Sequence, residues 1–321
     1  MHTFRDRAPW WGGDLQTVRN FLMPDVGKLL GKSTQLIFAT SDGSSDQLMA
    51  TLDEPIVPEN SPLIILIHGL SGSEESSYVK ASAAFHLKRG RCVLRLNLRG
   101  AGPSWQTCKR HYHGGHVIDI FDALSGLKDH ITGEGVFLIG YSLGGNILVN
   151  FLAVHKNLPI LGAVSVSASI DPAGSANRLM APRNALYQAW LLNHMKKESL
   201  ERVSHLNEES QQVIKSARSI YDFDDKFTAP QNGFKDAPDY YHQTNGARNV
   251  KNITIPLIMI HARNDPWIPY APYEKLMECS PDNIKVLLTN SGGHVGFHDR
   301  ASRETWHDRI ADEFISSICV L

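Results

Sequence analysis

Ser142 lies at the centre of a Gly-x-Ser-x-Gly sequence, a spacing in which a serine hydroxyl can serve as a nucleophile. The preceding residues, Val136–Ile139, have the length of a short buried strand, and Leu143–Val154 have the apolar spacing of a helix. Strand and helix backbones come close together at such a turn, and the flanking glycines permit that approach. The same pattern also occurs in ordinary glycine-rich turns, so catalysis requires a base and an acid elsewhere in the chain.

Asp265 and His294 follow two later apolar segments, at positions where parallel sheets present functional side chains. Asp265 comes after Leu257–Ile260, and His294 lies between glycines after Ile284–Leu288. We expect the histidine loop to be mobile enough for the imidazole to reach Ser142. The order serine, aspartate, histidine is the one expected for a catalytic triad on a parallel sheet.

Each of these residues also has a plainer interpretation. Asp265 could be a helix N-cap or a turn aspartate. Asp171, which follows another strand and precedes Pro172, is the rival candidate for the acid. His294 is one of 15 histidines, so composition alone does not distinguish it. The prediction depends on three sites that occur in the right order, each at the end of a strand.

A nucleophilic serine also needs hydrogen-bond donors for the negative charge that develops on the substrate oxygen. His68 and Gly69 directly follow the apolar segment Leu63–Ile67, where a donor loop is expected. We predict that the backbone N–H groups of Leu70 and Leu143 form this oxyanion hole. The alternative is a tight turn with a purely structural role.

Short apolar segments alternate with helical ones from Leu63 onward, which is typical of a mostly parallel sheet covered by helices. Before Leu63, a Ser-Asp-Gly-Ser turn between Gln35–Ala39 and Gln47–Leu52 predicts an antiparallel hairpin. The other predicted strands are Leu63–Ile67, Cys92–Leu96, Val136–Ile139, Leu161–Val166, Leu257–Ile260 and Ile284–Leu288. The predicted helices of this part are Tyr78–Arg89, Val117–His130, Leu143–Val154 and Arg303–Ile318. The fold class is therefore α/β.

About eighty residues separate Ile170 from Ile253, many more than a connection between neighbouring strands requires. They are predicted to be mainly helical, with helices at Asn184–Lys197, Glu198–Leu206 and Ser210–Ile220. A long insertion at this edge of a sheet is typical of a cap over an active site. The predicted domains are a core of residues 1–170 and 254–321 and a cap of residues 171–253.

The bulk composition argues against several classes of protein. The chain has 321 residues and a net charge of −1, which offers no basic surface for nucleic acid. The 4 cysteines are far apart, the N-terminal residues are charged, and no apolar segment approaches membrane-spanning length. We therefore expect a cytoplasmic protein without a transmembrane segment. The first 33 residues have an irregular pattern, in which Trp10 and Trp11 are expected to pack against the core.

Several sequence segments together resemble the α/β-hydrolase superfamily, and within it the YheT-type hydrolases (abhydrolase family 4). The similarity extends over nearly the whole chain. The segments that carry it are Pro9–Thr17, His68–Glu74, Asn97–Gly100, Tyr112–His116, Gly140–Asn146, Phe223–Pro230, Asp265–Pro269 and Gly292–Phe297. The resemblance implies an α/β-hydrolase fold, with a helical cap inserted before the last two strands.

The resemblance also implies a serine carboxylic-ester hydrolase, with Ser142, Asp265 and His294 as nucleophile, acid and base. Its substrate would be a small-molecule or lipid-like ester, for example a medium-chain or lipid-derived ester. Transient contact with a lipid surface is compatible with such a substrate. This chemistry needs no cofactor and no metal ion. The alternatives are an alcohol acyltransferase or thioesterase on the same triad, and a noncatalytic binding scaffold. Neither the oligomeric state nor the acyl chain length follows from the sequence.

Other polar segments are weaker candidates for a functional site. His111, His113 and His116 have the composition of a metal site, although structural hydrogen bonding is the favoured interpretation. Arg99 is expected to be a structural anchor. The acidic, aromatic segment 221–227 is expected to fasten the cap to the core rather than bind a cation. The His294-x4-Asp299 spacing resembles one in acyltransferases, but such short patterns arise easily.

Overall fold

A single eight-stranded sheet forms the centre of the molecule in this computed structural model, which describes residues 3–23, 28–202 and 206–319. The strands are β1 (Lys32–Ala39), β2 (Gln47–Glu54), β3 (Leu63–Ile67), β4 (Val93–Leu96), β5 (Val136–Tyr141), β6 (Ile160–Val166), β7 (Leu257–Ala262) and β8 (Ile284–Thr289). Their order is β1-β2-β4-β3-β5-β6-β7-β8. The pairs β1–β2 and β2–β4 are antiparallel, and all later neighbours are parallel. The predicted hairpin and the α/β fold class are thereby confirmed.

Helices connect the strands and cover both faces of the sheet. They are α1 (Gly12–Leu22), α2 (Ser77–Leu87), α3 (Ile118–Ser125), α4 (Asp129–Thr132), α5 (Leu143–Val154), α6 (Pro172–Met180), α7 (Ala185–Arg202), α8 (Glu208–Ser216), α9 (Ile220–Phe223), α10 (Ala229–Gln231), α11 (Ala237–Gln243), α12 (Gly246–Asn249), α13 (Ala271–Cys279) and α14 (Trp306–Cys319). Short 3₁₀ turns occupy Gly102–Gln106, Pro182–Asn184 and Val250–Asn252, and a π-helical turn occupies Asp224–Thr228. In the described part of the chain, no helix has both the length and the apolarity to cross a membrane.

The central strands are buried on both faces, as their continuous apolar sequences require. Every residue of β3 and β5 is buried. Alternate side chains of β3 belong to two core clusters on opposite faces of the sheet, with Ile65 in one and Ile64 in the other. The first cluster includes Ile147 of α5, and the second includes Ile310 of α14. Each such buried aliphatic side chain contributes about 1.5–3 kcal/mol, so the core holds the strand ends in fixed positions.

Several element predictions need correction. The irregular N-terminal segment contains helix α1, and Trp11 is 62% exposed instead of packed. The predicted helix Val117–His130 is divided into α3 and α4, because α3 ends at Gly126. In the insertion, one helix, α7, spans the predicted boundary between residues 197 and 198, and part of the predicted Glu198–Leu206 helix falls outside the described residues.

Helices α6 to α12 lie together between β6 and β7, in the segment predicted as the insertion. The end of this segment is fastened to α5 by buried amide groups. The Asn146 side chain donates to the Thr244 carbonyl at 2.9 Å and accepts from the Gly246 N–H at 3.1 Å. Asn150 donates to the same Thr244 carbonyl at 2.9 Å. The helix that follows Ser142 is therefore tied directly to the inserted helices.

Candidate active site

Ser142 lies at the turn between β5 and α5 in a conformation that is unfavourable for a residue with a side chain. Its φ is 52° and its ψ is −121°. The turn is very tight: a Cβ on Gly144 would lie 2.2 Å from the His68 carbonyl oxygen. Glycine is therefore required there, and the strained turn directs the hydroxyl towards the loops beyond the sheet edge.

His294 and Asp265 join Ser142 in one chain of hydrogen bonds. The distance from Ser142 Oγ to His294 Nε2 is 2.9 Å, and that from His294 Nδ1 to Asp265 Oδ2 is 2.8 Å. The other oxygen, Oδ1, accepts from the backbone N–H groups of Trp267 and Ile268 at 2.8 and 3.0 Å. Asp265 is fully buried, and His294 is 5% exposed. Three residues from distant parts of the sequence thus meet after β5, β7 and β8.

The charge on Asp265 is set by its partners. Burial by itself would raise the pKa of Asp265, but the neighbouring His294 charge and hydrogen bond outweigh it and hold the pKa below its ordinary value. The carboxylate is therefore ionised at neutral pH. An ionised carboxylate at Nδ1 favours the tautomer whose Nε2 can accept a proton from Ser142.

The loop after β3, predicted to supply an oxyanion donor, lies against Ser142. A Cβ on Gly69 would lie 2.9 Å from Ser142 Cβ. The N–H groups of Gly69 and Ser71 donate to the hydroxyls of Tyr78 and Tyr112, at 2.8 and 2.6 Å. Within the described residues, the N–H groups of Leu70 and Leu143 have no protein acceptor. Both amides are available to a ligand oxygen.

A cavity of about 420 Å³ opens over Ser142 and His294. The body of the protein contributes the β3 loop and residues 109–113, and α1 contributes Asn20 and Phe21. The inserted helices contribute the apolar side chains Leu179, Leu191, Met195, Ile220, Phe223 and Phe227. Polar groups of the same helices, among them Glu198 and Asp224, also line it. The cavity therefore accepts a mainly apolar ligand with a polar part.

Asp171, the rival acid, lies away from the imidazole that Asp265 contacts. It occupies the N-cap position of α6, and its carboxylate accepts from the Asn245 side chain at 3.3 Å. Arg99 is fully buried beside Asp119, Asp42 and Asp46, as expected of a structural anchor.

The remaining polar segments have local partners. Burial and neighbouring histidine and arginine charges lower the pKa of His113 to about 3, so this ring is neutral, and it stacks on His116 with 4.9 Å between centroids. Among the described residues, no group of three histidine, cysteine or acidic side chains is arranged to hold a metal ion. Within segment 221–227, Asp224 accepts from Tyr241 and Thr228 of the inserted helices, whereas Phe223 and Phe227 belong to the core cluster that contains Ile65.

Some residues around Ser142, Asp265 and His294 were not predicted from the sequence. The Trp267 ring lies 4.4 Å from the His294 ring, between centroids, and is 9% exposed. Tyr112 and Tyr78 fix the donor loop, and Thr17 accepts the His294 N–H at 2.8 Å. Trp267, Tyr112 and Thr17 belong to segments that carry the family resemblance, but no local pattern shows that their side chains face the site.

The chain belongs to the family of proteins with the α/β-hydrolase fold, whose sequence profile matches residues 62–301. Within that family it is of the YheT type: it is 32% identical over 253 residues to YheT of Escherichia coli, whose name assigns it to the esterases. That match covers 78% of this chain and 74% of the Escherichia coli protein. The predicted family resemblance is confirmed.

Two further similarities extend this comparison. A monoacylglycerol lipase of Saccharomyces cerevisiae is 29% identical, with 77% of this chain and 57% of the yeast protein covered. The chain thus spans less than two thirds of the length of that relative. Among solved structures, the Pyrococcus furiosus esterase Pf2001 is similar with a TM-score of 0.63 at 17% identity, over 99% of both chains. This structural similarity concerns the fold alone.

Proposed function

We propose that the protein is a serine carboxylic-ester hydrolase that acts through an acyl-enzyme on a medium-chain or lipid-derived ester. The observation that carries the proposal is the continuous hydrogen-bond chain Ser142–His294–Asp265 at the base of the cavity. A noncatalytic scaffold has no need of a buried carboxylate, an oriented imidazole and a strained serine in one line. The names of the Escherichia coli and yeast relatives agree with ester hydrolysis.

The reaction proceeds in two halves. His294 Nε2 removes the Ser142 proton while Oγ attacks the acyl carbon, and the Asp265 carboxylate stabilises the resulting imidazolium. The oxyanion accepts hydrogen bonds from the Leu70 and Leu143 amides, each worth about 3 kcal/mol. The bond to the alcohol oxygen then breaks, and His294 gives its proton to the leaving alcohol. Water then attacks the acyl carbon while His294 takes its proton. The bond between the acyl carbon and Ser142 Oγ breaks, and His294 returns the proton to Oγ, which releases the acid and restores the serine.

The cavity lining supports the substrate class. The inserted helices, residues 171–253, act in this proposal as a cap whose apolar side chains surround the acyl chain. Leu191, Met195 and Phe223 are themselves buried, so an acyl chain that binds among them would be removed from contact with water. A cavity of about 420 Å³ is of the size that binds ligands of this kind.

Labelling with a serine-directed fluorophosphonate tests the nucleophile. The wild-type protein is expected to be labelled, and Ser142→Ala is expected to lose both labelling and ester hydrolysis while its melting temperature stays within about 3 °C. Ser71→Ala is a matched control, because Ser71 also lines the cavity and follows the donor loop. Labelling that persists in folded Ser142→Ala, or that disappears in Ser71→Ala alone, would reject the assignment.

A series of p-nitrophenyl esters of increasing acyl length, measured beside monoacylglycerols, tests the substrate class. We expect kcat/KM to rise with acyl length to a maximum in the medium-chain range, because each buried methylene adds about 0.8 kcal/mol until the cavity is full. Product ratios in mixtures of water, alcohol and thioester separate hydrolysis from acyl transfer. A preference for acetyl esters would contradict the proposed acyl site.

A further inference from the structure

The loop that carries His294, residues 292–298, is held in a strained conformation. Its backbone φ is 56° at Val295 and 47° at Phe297, values that residues with side chains rarely adopt. All residues from 292 to 298 are buried. Strain of this kind persists only where surrounding contacts over-determine the backbone. The contacts that impose it therefore also decide where the imidazole lies.

Thr17 of α1 makes the contact nearest to the imidazole. Its hydroxyl oxygen accepts the backbone N–H of His294 at 2.8 Å, and its hydroxyl proton is donated to the Gly13 carbonyl at 2.7 Å. Thr17 is 1% exposed. One hydroxyl thus links the histidine backbone to the first turn of α1.

Gln16 and Asn20, on the same helix, hold the rest of the loop. Gln16 Oε1 accepts from the His298 N–H at 2.7 Å, and Gln16 Nε2 donates to the His298 carbonyl at 3.2 Å. Asn20 Nδ2 donates to the Val295 carbonyl at 3.0 Å. Gln16 is fully buried although it is polar, and its Nε2 also donates to the Trp10 carbonyl at 2.7 Å, so the amide ties the loop to the N-terminal segment as well.

The helix and the loop are also in direct backbone contact. A Cβ on Gly293, where φ is 61°, would lie 2.4 Å from the Gly13 carbonyl oxygen. A Cβ on Gly296 would lie 2.5 Å from the Gln16 carbonyl oxygen. The backbones of α1 and the loop are therefore so close that neither glycine position can hold a Cβ, and the helix constrains the conformation of the loop.

We propose that α1 is the positioning element of the catalytic base, with Thr17 as its principal positioning residue. This inference rests on the proposed function, because it assigns α1 a role relative to a catalytic His294. Thr17, Gln16 and Asn20 fix the loop backbone, and the loop backbone fixes Nε2 against Ser142. A displacement of about 1 Å at such a position costs about 100-fold in rate. This inference assigns a positioning function to residues 10–17, the Trp-Trp-Gly-Gly-Asp-Leu-Gln-Thr segment, which take no direct part in the reaction.

Thr17→Val and Thr17→Ser, compared in the full chain, test this role. Valine keeps the shape and removes the hydroxyl, whereas serine keeps the hydroxyl. With a p-nitrophenyl ester as substrate, kcat of Thr17→Val is expected to fall about 10- to 100-fold, with KM within about twofold of wild type. The fluorophosphonate labelling rate should fall by the same factor, and Thr17→Ser should restore most of kcat. Thr107→Val, which removes a hydroxyl bound to the Gln47 carbonyl at 2.6 Å, is the matched control and should retain kcat.

The outcomes separate a positioning role from a structural one. A lower melting temperature with unchanged kcat in Thr17→Val, or equal losses of kcat in the valine and serine variants, would overturn the inference. Should Thr17→Val not fold, Asn20→Ala takes its place: a loss of kcat at constant KM supports positioning, and unchanged kcat opposes it. Failure of both to fold would assign these contacts to stability and reject the inference. Failure of the proposed function is seen separately, as activity that survives in Ser142→Ala.

Discussion

In the proposed mechanism, the reaction at Ser142 depends on the negative charge of the buried Asp265. Asp265 has no contact with solvent, and its two oxygens are used by the His294 ring and by two backbone N–H groups. Loss of the negative charge would leave the hydrogen-bonding geometry almost intact. What would change is the stability of the imidazolium and the choice of histidine tautomer. The carboxylate can therefore be tested by an isosteric substitution.

Asp265→Asn is expected to lower kcat/KM by about 10³- to 10⁴-fold, because an amide that donates to Nδ1 enforces the wrong tautomer. Asp171→Asn, at the rival position, should keep wild-type activity since the Asp171 carboxylate accepts from the Asn245 side chain instead. Ester hydrolysis assays on both variants, with circular dichroism to establish folding, provide the measurement. The reverse ranking of the two variants would show that the acid has been misassigned.

At the scale of elements, the loop between β3 and α2 is fixed by a hydroxyl from the helix that follows it. Tyr78, near the start of α2, accepts the Gly69 N–H at 2.8 Å and lines the cavity. Burial raises the pKa of Tyr78, so its hydroxyl stays protonated over the working pH range. The peptide next to the Leu70 amide is thereby anchored before any substrate binds.

Tyr78→Phe is expected to reduce kcat about 10-fold with little change in KM, because oxyanion donors contribute mainly in the transition state. The affinity for a trifluoromethyl ketone analogue of the transition state should fall by a similar factor. Ser104→Ala is a suitable control, since the buried Ser104 hydroxyl accepts the Met49 N–H at 2.8 Å far along the chain from this loop. A Tyr78→Phe enzyme with wild-type analogue affinity would contradict the anchoring role.

Elements that bury apolar side chains were predictable from the sequence, whereas the element that buries polar side chains was not. The strands β3, β5 and β7 are continuous apolar segments, and their observed bounds differ from the predicted ones by at most two residues. Helix α1 was missed because its buried positions are Gln16 and Thr17, while Leu15, Phe21 and Leu22 are exposed. A hydrophobic pattern cannot reveal a helix that is held by side-chain hydrogen bonds.

For the candidate site, the sequence predicted which residues meet but not the geometry in which they meet. The order of Ser142, Asp265 and His294 at strand ends singled out the three residues, because parallel strands bring their carboxyl ends to one edge. The distances between them depend on loop conformations. The contacts that hold the histidine loop were not predicted, because Thr17 and Gln16 lie almost three hundred positions earlier in the chain and leave no local signal.

At the scale of the whole molecule, the fold buries several histidine side chains in their neutral form. Burial lowers the pKa of five histidines from 6.5 to values between about 2 and about 4. These residues, from all parts of the chain, are His86, His113, His116, His261 and His298. Unfolding exposes each ring and lets it bind a proton near pH 6.5. The unfolded chain therefore binds more protons than the folded one in the range from pH 6.5 to pH 4.

The sign of the resulting pH dependence follows directly. Because the unfolded state binds more protons in this range, the free energy of unfolding falls as the pH is lowered. Each histidine is expected to remove about 1 kcal/mol between pH 7.5 and 5.5. Two groups oppose them: burial raises the pKa of Asp119 and that of Asp224 from 3.8 to about 6, so each carboxyl offsets about 1 kcal/mol of the loss over the same interval.

Urea unfolding at pH 7.5, 6.5 and 5.5 tests this balance, with an expected net loss of several kcal/mol across the interval. His86→Gln provides a matched variant, because His86 is fully buried in α2, has a pKa of about 4, and lies outside the cavity lining. Glutamine does not titrate, so the variant should lose about 1 kcal/mol less than wild type between pH 7.5 and 5.5. Equal free energies of unfolding at the two pH values in the wild-type protein would show that the buried rings are already charged in the folded state. An identical pH slope in His86→Gln would exclude His86 as one of the groups responsible.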